Sequence, residues 1–464
     1  MWNLTRREML QRSSAGFGSL ALASLLAETG QGSEVGFQSH HTPKAKRVIF
    51  LFMKGGPSQV DTFDYKPLLQ RDDNKEFPFE KPRVQFAPTG ELLASPWKFK
   101  KYGESGIEVS ELFPHVAECV DDMCFINSCH GTNPAHGGAS LKLHTGSDTF
   151  VRPSMGSWVT YGLGTENNNL PGFITICPTL AHGGTKNWSS AFLPAEHTGT
   201  PLGVASQSSE MARVKYIQNT QLNQKEQRLQ LDLTQMLNRN LQTSTGPDAE
   251  LEARIQSFEL AFRMQTEMPE ALELESESDA THKLYGIDEE KTADFGRQCL
   301  MARRFAERGV RFVQVTHSNT EVQWDQHGNL RKGHEQNSKE VDKPIAGLLK
   351  DLKQRGLLKD TLVVWGGEFG RTPTCQGKGH DGRDHNPEGF TMWMAGGGVK
   401  TGIKYGATDD YGYYAAVDKV HIHDVHATLL HLLGLEHKRL TYRHAGRDFR
   451  LTDVAGHVVH DIIA

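Results

Sequence analysis

Apolar residues fall along this chain in short unbroken runs, separated by longer stretches of mixed polarity. Val48-Ile49-Phe50-Leu51-Phe52-Met53 is apolar at every position. A segment with no polar face has to be buried on both sides, which suits an interior strand of a parallel sheet. Gly55-Gly56-Pro57 ends the run sharply. Comparable runs are Cys124 to Asn127, Phe173 to Ile176, Val310 to Thr316, Thr361 to Trp365 and Thr391 to Ala395. Helical patterns lie between them, over Met211 to Leu241, Glu250 to Met268, Lys291 to Arg308 and Glu335 to Lys353. Strands alternating with helices predict an α/β fold: a doubly wound, mostly parallel sheet flanked by helices. In such sheets functional sites gather at the carboxyl ends of the strands.

Two segments stand outside that alternation. The stretch 211–268 is polar and rich in Gln and Glu, and reads as a helical insertion, either a pair with a solvated face or a lid over a substrate. The chain begins with Thr5-Arg6-Arg7-Glu8-Met9-Leu10 and a small, mostly apolar run from Ser13 to Ala27. A basic segment before a short apolar one has the grammar of a signal peptide, and paired arginines point to the twin-arginine route. Residues 1–27 are therefore assigned as signal and 28–43 as linker, leaving 44–464 as the α/β domain. The expected destination is periplasmic or extracellular, with the twin-arginine translocase as the partner during export. No other segment has the length of apolar sequence that spans a bilayer.

Composition narrows the functional classes. Of 464 residues, 37% are hydrophobic and 23% charged, ordinary for a globular protein, and the net charge of −5 argues against a nucleic-acid binder. Six cysteines form no CxxC pair, which removes zinc ribbons and thioredoxin-type chemistry. The unusual number is 22 histidines. Most are surface or core residues, but imidazole is also the commonest ligand for borderline transition metals.

Histidines and carboxylates cluster after the apolar runs. Trp324-Asp325-Gln326-His327 follows the strand 310–316, with an Asp and a His placed to share one ion. Gly367-Glu368-Phe369-Gly370-Arg371-Thr372-Pro373 follows the strand 361–365. It offers Glu368 as ligand or base and Arg371 as an oxyanion clamp, or the two as a surface ion pair. Gly379-His380-Asp381-Gly382-Arg383-Asp384-His385 adds a third concentration of ligating groups. Upstream, Gly55 to Asp64 offers Asp61 as a ligand. Cys129-His130-Gly131-Thr132-Asn133-Pro134-Ala135-His136 leads into a helix whose N-terminus suits an anion, with Thr132 and His136 facing it.

The order of these motifs resembles one bacterial family, the twin-arginine-exported "domain of unknown function 1501". The motifs are Gly-Gly-Pro-Ser-Gln with Asp61, Pro-Ala-His at 134–136, Trp-Asp-x-His at 324–327, Gly-Glu-Phe-Gly-Arg-Thr-Pro and Arg-Asp-His at 383–385. The resemblance covers nearly the whole chain, including an ending at 423–434 similar to a sulfatase helix. It implies an alkaline-phosphatase-like fold and metal-assisted hydrolysis or transfer of phosphate or sulfate esters. That superfamily carries a Ser, Thr or formylglycine nucleophile where this chain has His136, and none of the six cysteines begins a Cys-x-Pro-Ser-Arg. Where the superfamily has Asp-His, this chain has Glu368-Phe369, so the expectation is one or two divalent ions, zinc or manganese.

The leading expectation is an exported metal-dependent hydrolase of phosphate or sulfate esters, not of the formylglycine type, acting on a small molecule or a polysaccharide. Asp325, His327 and His385 hold the ion, with Glu368 and Asp61 as further carboxylates. Arg371 binds the oxyanion, His136 moves protons or ligates, and Thr132, Ser140 or a metal-bound water is the candidate nucleophile. The competing expectation is a non-catalytic metal-binding envelope protein on the same fold. A Ser-His-Asp hydrolase ranks below both, because no Gly-x-Ser-x-Gly is present.

Overall fold

The computed structural model describes residues 39–80, 88–214, 217–219, 221–246, 248–318 and 323–464. The signal-peptide assignment and most of the linker assignment lie outside these residues. Ser39 to Ala464 form one compact unit. Its centre is a nine-stranded sheet. Eight strands lie along it: β1 (Arg47–Met53), β3 (Met123–His130), β4 (Phe173–Ile176), β5 (Thr200–Leu202), β6 (Phe312–His317), β7 (Thr361–Gly366), β10 (Phe390–Ala395) and β11 (Ile403–Tyr405). Their order is β11-β3-β10-β7-β1-β6-β4-β5, and β12 (Val420–His421) also pairs with β3. A small side sheet joins β2 (Thr89–Leu92), β8 (Gly370–Gln376) and β9 (Arg383–Asn386).

β1 runs parallel to both β6 and β7, at the middle of the sheet, and all three strands are buried throughout. The alternation of β1 splits the core in two. Ile49, Leu51 and Met53 pack with α6 (Ala293–Glu307) and α7 (Leu330–Gln354) on one face. Val48, Phe50 and Phe52 pack with α3 (Met155–Leu163) and α8 (Ile422–Leu432) on the other. Helices therefore cover both faces, which is why β1 carries no polar face. One strand departs from the parallel rule. β10 is antiparallel to both β3 and β7, so those two point the same way as β1 and β6. The carboxyl ends of β1, β3, β6 and β7 thus share one edge.

The helical insertion is a pair, α4 (Gln224–Thr245) and α5 (Ala249–Leu272). α4 opens with a full capping box, in which Asn223 accepts from the Glu226 backbone and Glu226 reaches back to the Asn223 backbone. α5 attaches the pair to the core through Met264, Met268 and Ala271. All six cysteines are free and buried. Among the described residues no helix is long and apolar enough to cross a membrane.

Several histidines are structural. His426 meets the Leu143 carbonyl at 2.7 Å and His144 the Ser140 carbonyl at 2.8 Å, while His334 accepts from the Ser58 backbone at 3.2 Å. Burial pushes His426 and His334 down to about 3 and His144 to about 4, so all three are neutral in the fold. The unfolded chain takes up these protons below about pH 6.5, whereas the fold resists them until about pH 3 to 4. Their contribution is complete above pH 6.5 and declines as pH falls, by roughly 1.4 kcal/mol per unit for each histidine. The urea midpoint is expected to drop steadily from pH 7 to pH 5. A flat profile over that window would contradict neutral burial.

Candidate metal centre

Three loops and one helix start meet at the shared carboxyl edge. Gly55 leaves β1 at φ +113°, and a Cβ there would lie 2.6 Å from the Trp324 backbone nitrogen and 2.8 Å from that of Asp325. Only glycine permits that approach. The loop after β6 is further held by Trp324, buried in the core, whose indole donates to His317 at 3.0 Å. These contacts set Asp325 at the centre of the cluster. Gly382 performs the same service for His327, since a Cβ would fall 2.1 Å from the His327 carbonyl. Two residues on, β9 delivers Asp384 and His385, and His136 arrives as the first residue of α2 (His136–Thr145).

Asp325 is surrounded by imidazoles. Its Oδ2 lies 3.2 Å from His136 Nε2, and its Oδ1 lies 3.0 Å from His327 Nε2 and 3.2 Å from His385 Nε2. The opposite nitrogens fix which tautomers are possible. His385 Nδ1 is 2.6 Å from the Pro134 carbonyl, which can only accept, so Nδ1 carries the hydrogen. In the neutral ring Nε2 then presents a lone pair to a carboxylate. His136 repeats the pattern, with Nδ1 2.7 Å from Glu368 Oε1 and Nε2 facing Asp325. With both nitrogens protonated, His136 is itself a cation bridging the two carboxylates; with Nε2 unprotonated, it presents a lone pair beside Asp325, as a metal ligand does. Ligating histidines commonly give their second nitrogen to a carboxylate or backbone carbonyl in this way. The spacing suits an ion as well: tetrahedral bonds of about 2.0–2.1 Å put neighbouring donors about 3.3 Å apart.

Two overlapping sets, His136–Asp325–His385 and His327–Asp384–His385, bring their donor atoms within 4.8 Å. They share His385, whose Nδ1 is committed to Pro134, so a single Nε2 lone pair serves one ion at a time. Phe369 also limits the space, with its ring 4.5 Å from that of His385 and 4.9 Å from that of His136.

The electrostatics match. Burial works against charge on Asp325, yet the polar contacts of His136, His327 and His385, with the Arg371 charge, hold its carboxyl far below the usual range. Burial also opposes ionisation of Glu368, and the bond to His136 overcomes it. For His136 burial lowers the affinity for a proton, but its bonds to Asp325 and Glu368 raise it overall. His385 is pushed down to about 4 by burial, partly offset by Asp325 and reinforced by Arg371. Burial raises the Asp384 carboxyl.

The remaining expected residues take other places. Glu368 is wholly buried and accepts from the Gly55 backbone at 3.1 Å, so it orients His136 from behind. Arg371 is buried and its donors are engaged: it reaches the Gly55 carbonyl, Gly56 at 3.0 Å, Arg383 at 3.3 Å and Asp325 at 2.6 Å. In this arrangement it braces Asp325 and the Gly55–Gly56 backbone. Asp61 sits apart in the short helix α1 (Gln59–Thr62), receiving Arg383 at 2.7 and 3.0 Å and Ser58 at 2.5 Å. Thr132 lies exposed ahead of α2, with no hydrogen bond to the cluster among the described residues, and Ser140 is buried within α2.

Two residues escaped the sequence reading. Lys54, the first charged position after the β1 run, is fully buried and donates to the Ala181 carbonyl. Burial lowers its ammonium to about 8, with Glu368 opposing. His182 stands with its ring 5.1 Å from that of His136, at a left-handed φ of 53° that histidine adopts more readily than most side-chain-bearing residues. The signal for Lys54 was a charge closing an otherwise apolar strand. For His182 it was a His-Gly-Gly turn six residues past β4.

Fold and site together define an α/β protein with a histidine–carboxylate centre at the carboxyl edge of its sheet. The chain belongs to the family described as "Protein of unknown function (DUF1501)", whose sequence model matches residues 45–463. No curated protein matches. Solved structures with a similar chain path include the lipoteichoic acid synthase LtaP of Listeria monocytogenes, 10% identical over 90% of this chain and 78% of that one, TM-score 0.39. The PsFucS1 sulfatase of Pseudoalteromonas sp. is 12% identical over 89% and 70%, TM-score 0.36. The alkaline phosphatase of the Antarctic bacterium TAB5 is 10% identical over 84% and 98%, TM-score 0.35. At these scores the likeness carries no argument about chemistry.

Proposed function

We propose that this protein is a metal-dependent hydrolase of phosphate or sulfate esters, built around one divalent ion. The observation behind this reading is the arrangement of three Nε2 atoms about the Asp325 carboxylate at 3.0–3.2 Å, with two of the rings oriented from behind by Glu368 and Pro134. His136, Asp325 and His385 would hold the ion, with His327 and Asp384 beside it; a borderline N/O donor set favours zinc or manganese. When bound, the ion supplies Lewis-acid stabilisation of charge on a phosphoryl or sulfuryl oxygen and makes water more acidic.

The chain's own residues supply the rest. Arg371 and Gly55 fix the carboxylates, so little reorganisation is needed as charge develops. The start of α2, whose N-cap Ala135 has no side chain to occupy the free backbone N–H groups, faces the same edge and suits an anionic ester group. Lys54 adds positive charge beside Glu368. His327 Nδ1 is buried without a hydrogen-bond partner among the described residues, 3.9 Å from Asp384, and is placed to hold or pass a proton. With Ser140 inside α2 and Thr132 out on its loop, water is the proposed nucleophile.

The test is elemental analysis of the purified protein, followed by turnover of p-nitrophenyl phosphate and p-nitrophenyl sulfate before and after chelation. About one equivalent of metal is expected, with hydrolysis lost on chelation and restored by zinc or manganese. Bound metal with no hydrolysis of either ester class would favour the non-catalytic envelope protein. Absence of metal uptake altogether would remove both readings.

A further inference from the structure

The helix α4 is built with its apolar side outward. The residue it buries fully is Gln235, whose amide donates to the Ile255 carbonyl of α5 at 2.9 Å. Its exposed side carries Leu229, Leu233, Leu237 and Leu241, with Met236 alongside, each more than half exposed. Leucines at intervals of four form one continuous ridge along a helix. On a polar helix, concentrating the apolar residues on the solvent side and a glutamine on the inside inverts the usual order.

We propose that this ridge is the interface with a second copy of this chain, the two α4 helices meeting antiparallel about a two-fold axis near Gln235. A two-fold interface must be complementary to itself. An evenly spaced row meets that demand, because rotation about its midpoint sets Leu233 against Leu237 and Leu229 against Leu241 of the other copy. The flanking charges agree: the same rotation brings the exposed Asp232 towards the exposed Arg239 of the other copy, opposite in sign. The area is adequate as well. At roughly 80–100 Å² of apolar surface per side chain, the ridge offers on the order of 400–500 Å² per copy. That brings the pair close to the roughly 1,000 Å² of a specific interface. The insertion, which hangs from the core by α5 alone in the contacts above, would then serve as a dimerisation arm, independently of what the metal centre does.

Sedimentation equilibrium of the full chain tests this. A dimer is expected at about 10 µM, and the double variant Leu233→Glu with Leu237→Glu is expected to raise the dissociation constant more than tenfold while far-UV circular dichroism and metal content stay unchanged. The register is tested separately by oxidising a mixture of Leu233→Cys and Leu237→Cys chains. Native cysteines are buried, so the mixture is expected to yield a disulfide-linked dimer in excess of either variant alone. A monomer at 100 µM, or a dimer indifferent to the double variant, would overturn the proposal. So would a monomer that binds anionic phospholipid vesicles through the same leucines, which would make the ridge a membrane contact.

Discussion

Replacing Asp325 with Asn is expected to abolish metal retention and ester hydrolysis while leaving the protein folded. The carboxylate faces three imidazole nitrogens and Arg371 at once. Asn keeps the shape and an accepting oxygen for Arg371 but removes the charge that balances a dication. With two neutral imidazoles left in the set, bound metal should fall from about one equivalent to under a tenth, and turnover by a factor of about 10³ or more. Glu368→Gln is the contrasting change, because Glu368 acts through His136. Affinity for the ion should weaken by about 10–100-fold without vanishing. Elemental analysis after dialysis against buffered zinc separates the two. Equal and complete loss in both variants would place Glu368 in direct contact with the ion. Full metal occupancy in Asp325→Asn would show that the ion binds elsewhere.

The second large effect is on stability. Asp61 and Arg383 form a two-pronged ion pair with both side chains inaccessible to solvent. Burial alone would keep the Asp61 carboxyl protonated, and the Arg383 charge and hydrogen bonds outweigh that and lower it. Asp61→Ala strands a guanidinium in the interior, at a cost of about 3–5 kcal/mol. The expected result is a large fall in the urea midpoint with an unchanged slope. The double variant Asp61→Leu with Arg383→Met should recover much of the loss, because removing both charges also removes the need to pair them. A near-neutral Asp61→Ala, or a double variant worse than the single one, would show that the pair does not hold this part of the fold.

These two residues also show where sequence reading stops. Asp61 and Asp325 carry the same group and both follow apolar strands closely in sequence. What separates them is a partner: a guanidinium from residue 383 for one, three imidazoles from residues 136, 327 and 385 for the other. Such pairings between distant segments leave no local trace. The strands were legible for the opposite reason. Burial on both faces is a property of each run, and β1, β4, β6, β7 and β10 all fall where the mainly apolar runs predicted them. The antiparallel sense of β10 was not, since residues buried on two faces look alike in either direction. The convergence of 136, 325, 327, 368 and 385 at one edge followed from strand ends. The division between residues lining the centre and those bracing it did not, because Arg371 and Glu368 reveal their roles only through the Gly55–Gly56 backbone they grip. The insertion reads in the sequence as a helical pair with a solvated face or as a lid; it holds two long helices, and the leucines on the exposed side of α4 were not foreseen.

His385 and Asp325, the donors at the middle of the centre, come from segments sixty residues apart, and His136 comes from a different strand end altogether. An unfolded chain therefore offers an ion at most scattered single ligands, and nearly all of the affinity belongs to the native state. By mass action, free metal at a hundred times its dissociation constant adds about 2.7 kcal/mol to the stability of the fold. Under the proposed reading, an ion held there would be a thermodynamic keystone as well as a reagent: a depleted environment would erode the stability of the fold together with its chemistry.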